Sequence, residues 1–258
     1  MKDFENMKKT PEKLREFFEN PYMEEMLRSN NDMLNYSVMR IMSACELLEG
    51  GDGAKISDER RSYYETIRGM CRDLLRESAV NMAMFERGGK TAIMRTDRFL
   101  EDFAAGCLYA EHERITVRMV ERSDSMVRCD SDLLRFIMLS VIRFALFSES
   151  SSQLEIGLGS KAEDGNVTIY MELGGPVSDK KNAGFCMNGF YVDNFKEICG
   201  LLSERMGIKT ELTDNGISFT MKAAERTNIV EMKAPYLYFE KDHFSVFHIM
   251  LSDLETMR

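Results

Sequence analysis

Histidine and cysteine are the side chains of this sequence that could act as nucleophiles or metal ligands near neutral pH. The chain has three histidines, at positions 112, 243 and 248, and six cysteines, at positions 45, 71, 107, 129, 186 and 199. The cysteines form no Cys-x-x-Cys pair, and most fall within apolar helical patterns, which indicates reduced, buried thiols rather than disulfides or a zinc site. No histidine accompanies a serine or cysteine in a recognisable catalytic pattern. We therefore expect no metal site and no nucleophilic centre of that kind.

The overall charge argues against another class of function. The chain carries 34 Lys and Arg against 43 Asp and Glu, a net charge of -9. Affinity for nucleic acid comes largely from clustered cations that release counterions from phosphates, so nucleic acid is not an expected partner. No apolar run is long enough to cross a bilayer, and charges occupy the start of the chain, where a signal peptide needs an apolar stretch. We expect a cytoplasmic protein without membrane insertion.

Two long helices are predicted in the first third of the chain. Apolar residues recur every three or four positions after Met23 until Gly50-Gly51-Asp52-Gly53, and Ser57 caps a second such pattern that ends at Gly88-Gly89. The stripes contain Leu27, Leu34, Ile41, Cys45 and Leu48 in the first helix and Tyr64, Ile67, Cys71 and Leu74 in the second. A lone hairpin leaves part of such stripes uncovered, so we predict a homodimer that forms a four-helix bundle. Packing of the hairpin on the rest of the chain is the alternative.

Beyond Lys90 the pattern changes to short helices that alternate with strands. Helices are predicted at 97–110, 130–147 and 191–205, and strands at 115–120, 126–129, 153–159, 166–173, 209–213 and 217–222. This order predicts an α/β sandwich within an α+β protein. Residues 174–188 form a predicted long loop, and the tail is predicted to add strands at 236–239 and 245–251. The predicted domains are a helical hairpin over 1–89, a sandwich over 90–222 and a C-terminal extension over 223–258.

The order of these elements and five local motifs resemble the core of bacterial sensor histidine kinases. LNYSVMRIMSACELL, from Leu34 to Leu48, is similar to the phosphoacceptor helix of that family, and Thr66 to Gly89 resembles its second helix. CDSDLLRFIMLSVIRFALFS, from Cys129 to Ser148, resembles the asparagine-box helix. MELGGPV, from Met171 to Val177, resembles the first glycine box, and 189–221 resembles the second box with the closing strands. The resemblance implies a dimeric four-helix bundle followed by an ATPase-like domain of the Bergerat type.

A histidine kinase needs an imidazole on its first helix, because that nitrogen nucleophile accepts the γ-phosphate of ATP. No histidine precedes position 112 in this chain. By the resemblance, the acceptor position falls on Asp32, or on Asn31 if the register shifts by one residue. A carboxylate on a helix surface is usually only solvated, so we expect no phosphate acceptor there. The family geometry further implies that a response regulator or a histidine kinase docks around Asn31, Asp32, Asn35 and Met39.

The resemblance also implies a nucleotide site that has lost its usual groups. The two asparagines of the asparagine box correspond to Ser140 and Phe144, and an aromatic ring cannot ligate Mg²⁺. The adenine-reading aspartate corresponds to Glu172, close to Gly174 of the first glycine box. Of the glycines of the second box, Gly189 remains. We expect no cofactor, and weak binding of ATP with Mg²⁺ is the alternative.

Together these losses favour a signalling protein that lacks autokinase activity and acts by dimerisation and docking. One alternative is a phosphotransferase or residual ATP-binding kinase with an unconventional phosphate acceptor. Another is a small-molecule sensor that uses the altered nucleotide pocket. The sequence leaves the identity of the partner open.

Overall fold

The structure is a computed structural model in which two compact units are described. The described residues are 15–16, 19–50, 57–85, 91–110, 114–148, 153–174, 194–213, 215–225 and 245–251. The first unit ends with Phe85 and the second begins with Thr91. The predicted strand at 236–239 and most of the predicted loop at 174–188 lie outside the described residues.

The first unit is a hairpin of two long helices, α1 (Pro21–Gly50) and α2 (Asp58–Phe85). Asn20 and Ser57 precede them, and their side-chain oxygens accept hydrogen bonds from the backbone N–H groups of Tyr22 and Arg60. The helices bury a common apolar seam that includes Val38, Met42, Cys45, Cys71 and Leu75. The predicted helical hairpin is therefore confirmed.

The second unit contains seven strands and four helices among its described residues. In chain order they are β1 (Ala92–Arg95), α3 (Thr96–Ala110), β2 (Ile115–Glu121), β3 (Met126–Cys129), α4 (Ser131–Ser148), β4 (Leu154–Glu163), β5 (Asn166–Leu173), α5 (Phe195–Met206), β6 (Lys209–Thr213), β7 (Gly216–Lys222) and α6 (Val246–Leu251). Five strands form a sheet of order β2-β4-β5-β7-β6, in which β2 and β4 are parallel and the other pairs antiparallel. β1, which the sequence analysis did not predict, pairs with β3 in a separate two-stranded sheet.

One face of the five-stranded sheet carries the core. Along β5 buried and more exposed residues alternate, so Val167, Ile169 and Met171 share the buried face. Helices α3, α4 and α5 pack against strands of this sheet and cover that face. On the other face Thr168 hydrogen-bonds to Thr220 at 3.0 Å. The α/β sandwich predicted from the sequence is confirmed.

The tail contains a helix where a strand was predicted. Residues 246–251 form α6, and the Ser245 hydroxyl accepts a hydrogen bond from the backbone N–H of His248. Phe247, Met250 and Leu251 are buried, at the spacing i, i+3, i+4 that a helix places on one face. The strand prediction for 245–251 is wrong because the short apolar run does not distinguish the two periods.

Helix α4 explains why α6 is needed. Every residue from Phe136 to Leu146 is buried, so α4 is enclosed on all sides rather than on one stripe. Strands β5 and β7 pack against α4, and α6 packs against both α4 and α3. None of the described helices is long and apolar enough to cross a membrane.

Candidate functional site

The proposed acceptor position lies on α1, where the two candidate residues have different surroundings. Asp32 is exposed. Asn31 is 4% exposed, and its side-chain amide donates a hydrogen bond to the backbone carbonyl of Ser78 on α2, at 3.4 Å. Asn31 therefore lies inside the hairpin and is not part of an exposed docking face, contrary to the prediction. Of the two, Asp32 is the residue that another molecule can reach.

The other predicted docking residues on α1 are also divided between surface and interior. Met39 is 45% exposed, whereas Asn35 is half-buried. The side-chain oxygen of Asn35 is buried and has no hydrogen-bond partner among the described residues. Of the four predicted docking residues, Asp32 and Met39 are thus the exposed ones.

The asparagine-box positions lie in the interior of the second unit. The side-chain oxygen of Asp130 accepts hydrogen bonds from two backbone N–H groups at the start of α4, which fixes the beginning of this helix. Ser140, about two turns before the end of α4, is fully buried, and its hydroxyl donates a hydrogen bond to the carbonyl of Phe136 at 2.9 Å. The ring of Phe144 packs against Phe195 of α5, with centroids 4.5 Å apart and planes tilted by 56°.

This arrangement does not suit a metal-bound nucleotide. Mg²⁺ prefers oxygen ligands in near-octahedral geometry. Position 144 presents an apolar ring, and the hydroxyl of Ser140 is already committed to its own helix. Phe144 and Phe195 form a buried aromatic pair between α4 and α5. Among the described residues there is no cluster of three or more His, Cys, Asp or Glu side chains that could hold a metal ion.

The end of β5 separates Glu172 from the asparagine-box positions. Glu172 is exposed. Because successive residues of a strand lie on opposite faces of the sheet, Glu172 is on the face opposite to that of Met171 and Leu173. Leu173 is buried on the side of the sheet that the helices cover. The structure therefore does not bring Glu172 together with Ser140 and Phe144. The side chain at this strand end that faces the helices is an apolar leucine.

The alternation of β5 was a signal that the sequence analysis missed. Residues 167, 169, 171 and 173 are all apolar, so Leu173 belonged to the buried series from the start. Gly174 follows, and its N–H donates to the carbonyl of Glu155 at 2.8 Å. Gly189, the remaining position of the predicted pocket, lies outside the described residues.

Three thiols of the second unit are buried, which disfavours the reactive thiolate form. Burial raises the pKa of Cys129 to about 12, and it also raises the pKa values of Cys107 and Cys199. A thiol with a raised pKa carries little thiolate, which is the form that attacks electrophiles or binds metals. These cysteines pack as small apolar side chains.

Comparison with known proteins identified similar solved structures but no matching sequence family. No protein-family model matches the chain, and neither does any curated protein sequence. Full-length ShkA in complex with AMPPNP is 19% identical over 77% of this chain, with a TM-score of 0.49. The chain spans only 45% of the length of ShkA.

Two further similar structures contain histidine kinases. The histidine kinase AdeS of Acinetobacter baumannii is 10% identical over 74% of this chain and 97% of its own, with a TM-score of 0.44. Histidine kinase ThkA in complex with the response regulator protein TrrA is 14% identical over 78% of this chain and 64% of its own, with a TM-score of 0.43. At these identities the comparisons concern the fold alone.

Proposed function

We propose that this chain is a cytoplasmic histidine kinase-like signalling protein that lacks autokinase activity. It acts as a homodimer whose helical bundle docks a response regulator or a histidine kinase and changes that partner's phosphorylation state by occupancy. The packing of Phe144 on Phe195 carries the non-catalytic part of the proposal. A buried aromatic pair stands where the kinase resemblance requires groups for Mg²⁺ and nucleotide.

The spacing of the apolar residues on α1 and α2 supports the homodimer. On α1 the intervals alternate between four and three residues, which is the heptad pattern of helical bundles. The α1 series is Leu27, Asn31, Leu34, Val38, Ile41, Cys45 and Leu48, and the α2 series is Tyr64, Ile67, Cys71, Leu74, Ser78, Asn81 and Phe85. Alternate members are buried, namely Asn31, Val38 and Cys45 on α1 and Cys71, Ser78 and Phe85 on α2, whereas Tyr64 is half-buried.

The apolar residues at the positions between these buried ones form what we call the open seam, namely Leu27, Leu34, Ile41 and Leu48 on α1 and Ile67 and Leu74 on α2. The exposed fraction is 45% for Ile41, 61% for Leu48 and 42% for Leu74, and the others are half-buried. Burying a large apolar side chain gains roughly 1.5–3 kcal/mol. A second copy of the chain supplies an identical open seam, so the two seams bury each other in a symmetric four-helix bundle.

The loss of phosphoryl transfer follows from two separate features. Neither α1 nor α2 contains a histidine that could form a phosphoramidate. In the second unit, Phe144 is apolar at a position where the resemblance expects a ligand of Mg²⁺, and Glu172, at the adenine position, lies on the face of β5 opposite to the helices. Transfer of a γ-phosphoryl group depends on positioned cations that neutralise the developing charge.

Calorimetric titration with Mg-ATP, combined with a radiolabel transfer assay, tests this proposal. We expect no saturable binding up to millimolar ATP and no label on the protein. Micromolar binding would contradict the account of the pocket. Label on the protein, in particular on Asp32, would establish the alternative of a kinase with an unconventional acceptor.

A melting assay against nucleotides and metabolites separates the sensor alternative from the proposal. A ligand that binds only the folded state raises the melting temperature by mass action. We expect no shift with any nucleotide. A reproducible shift with another metabolite would replace docking by ligand sensing as the role of the second unit.

A further inference from the structure

Helices α3 and α4 form a groove on the second unit that holds α6. We call it the tail groove, and define it by Phe103 and Gly106 of α3 and Arg143 of α4. The ring of Phe247 lies against Phe103, with centroids 5.6 Å apart. A Cβ atom built on Gly106 would lie 2.6 Å from the atoms of the same ring. Glycine therefore leaves the space that the ring of Phe247 fills.

A buried cation fixes the other end of α6 in the tail groove. Arg143 is fully buried, and its guanidinium donates a hydrogen bond to the backbone carbonyl of Met250. Carbonyl groups of a helix carry partial negative charge that a guanidinium stabilises. Arg143 thus binds the backbone of α6 rather than one of its side chains.

The buried residues of α6 have the spacing that short helices use when they bind grooves. Phe247, Met250 and Leu251 stand at i, i+3 and i+4 and are at most 3% exposed. A helix of six residues is far too short to be stable by itself, so α6 forms only when the groove holds it. Folding and docking of the tail are therefore one step.

We propose that the tail groove is a binding site for a short amphipathic helix with an aromatic residue followed by apolar residues three and four positions later. Its occupant is residues 245–251 of this chain, which leave and re-enter the groove while the rest of the unit stays folded. This assigns the C-terminal segment the role of an exchangeable ligand. The proposal does not depend on the signalling function proposed above.

A fluorescent peptide with the sequence of residues 240–258 tests the exchange. We would measure its binding by anisotropy to the unmodified chain, to Phe247→Ala and to the double variant Gly106→Ala/Phe247→Ala. Phe247→Ala weakens the chain's own tail but leaves the groove intact, so it should bind the peptide at least about tenfold more tightly than the unmodified chain. The double variant should lose that gain, because the added methyl group occupies the place of the ring.

Two outcomes of the peptide experiment would overturn the proposal. One is a folded Phe247→Ala chain, shown by circular dichroism, that binds no peptide. The other is equal binding to all three chains. The first result would show that α6 is a fixed part of the core that a free peptide does not replace. The second would show that the peptide does not bind specifically to the tail groove.

Hydrogen exchange on the unmodified chain gives a second, independent test that does not rely on any variant. The backbone amides of residues 248–251 should exchange at least roughly a hundredfold faster than those of residues 167–171 in β5, because local opening releases the tail without unfolding the sheet. Equal exchange in both segments would show that α6 opens only when the whole unit unfolds. That result would overturn the proposal even if Phe247→Ala does not fold.

Gly200 of α5 provides a matched control for Gly106. Both glycines are helical, but a Cβ on Gly200 would meet nothing within 4 Å. We expect Gly106→Ala to lower the melting temperature and Gly200→Ala to leave it unchanged or raise it. In the Phe247→Ala background, Gly106→Ala should no longer be destabilising. A loss of stability that persists there would contradict the assignment of Gly106 to the groove.

Discussion

Phe144 and Phe195 fill the region between α4 and α5 where the kinase resemblance expects a nucleotide pocket. The sequence could show that position 144 carries no metal-ligating group, because that depends on residue type alone. It could not show the partner of the ring, since Phe195 is distant in sequence. Glu172 was assigned to the pocket by the resemblance, whereas the alternation of β5 already indicated that Leu173, not Glu172, lies on the helix side.

Replacing the aromatic ring of Phe144 with an amide should destabilise the second unit without restoring nucleotide binding. Loss of a buried phenyl group typically costs about 3–5 kcal/mol, and the amide brings polar groups into an apolar site. We expect Phe144→Asn to lower the urea midpoint markedly. Phe144→Leu is the matched control and should cost less. An unchanged midpoint for Phe144→Asn would show that the ring is not part of the core.

The buried cysteines of the second unit should resist alkylation in the folded protein. Burial raises the pKa values of Cys107, Cys129 and Cys199, so little thiolate exists at pH 8 and reagent access is low. Mass spectrometry after iodoacetamide treatment should find these three residues unmodified in buffer and modified in denaturant. Complete labelling of Cys107 in the folded chain would contradict its burial.

At the scale of helices and strands, the sequence predicted nearly every described element. The long periodic segments that became α1, α2 and α4 were predictable because many apolar residues repeat at one spacing. β1 was missed because a four-residue strand in a separate sheet has too few residues to show alternation. Helix α6 was predicted as a strand because its short apolar run does not distinguish the helical period from the strand period. Its helical state depends on the tail groove, which belongs to distant parts of the chain.

The turn between β4 and β5 gives a prediction at this scale. Asp164 and Gly165 both have positive φ, 51° and 74°, in a two-residue hairpin loop. Such loops require residues that tolerate the left-handed region, and a β-branched side chain does not. Gly165→Val should therefore lower the melting temperature of the second unit, whereas Asp164→Asn should be close to neutral. Equal effects of the two substitutions would contradict this turn geometry.

For the molecule as a whole, the open seam on α1 and α2 is an apolar surface that the hairpin itself does not bury. The sequence predicted its apolar stripe, and the structure shows which members the hairpin buries and which stay exposed. The stripe could not reveal that Asn31 would lie inside, where it bonds to Ser78. A polar residue in such a seam commonly favours one pairing register over others.

Light scattering should give a mass of twice the 29.7 kDa chain. Replacing Leu34 and Ile41 together by aspartate should then yield monomers, because each change places an unpaired charge in the open seam. The second unit should stay folded, with its melting transition retained. Ser29→Asp with Ser43→Asp is the matched control, since both serines are exposed on α1 outside the seam, and it should remain dimeric. A monomer at micromolar concentration before any substitution would remove the basis of the proposed bundle.

Docking of a partner near Asp32 makes a further prediction at this scale. Asp32→Lys and Met39→Glu change the charge of the exposed part of α1 without touching the seam. They should weaken capture of a response regulator or kinase partner in a pull-down while leaving the dimer mass unchanged. Undiminished capture by both variants would move the docking face elsewhere.

The distance along the sequence between α4 and α6 also has a consequence for synthesis. Residues 136–146 of α4 are all buried, and the last described element that covers them is formed by residues 246–251. At about 5–20 residues per second, a ribosome needs on the order of 5–20 s to add the chain between Ser148 and Val246. Throughout that interval the nascent second unit exposes the side of α4 that α6 later covers, so we expect chaperones that bind apolar helices to bind it before residues 246–251 are made.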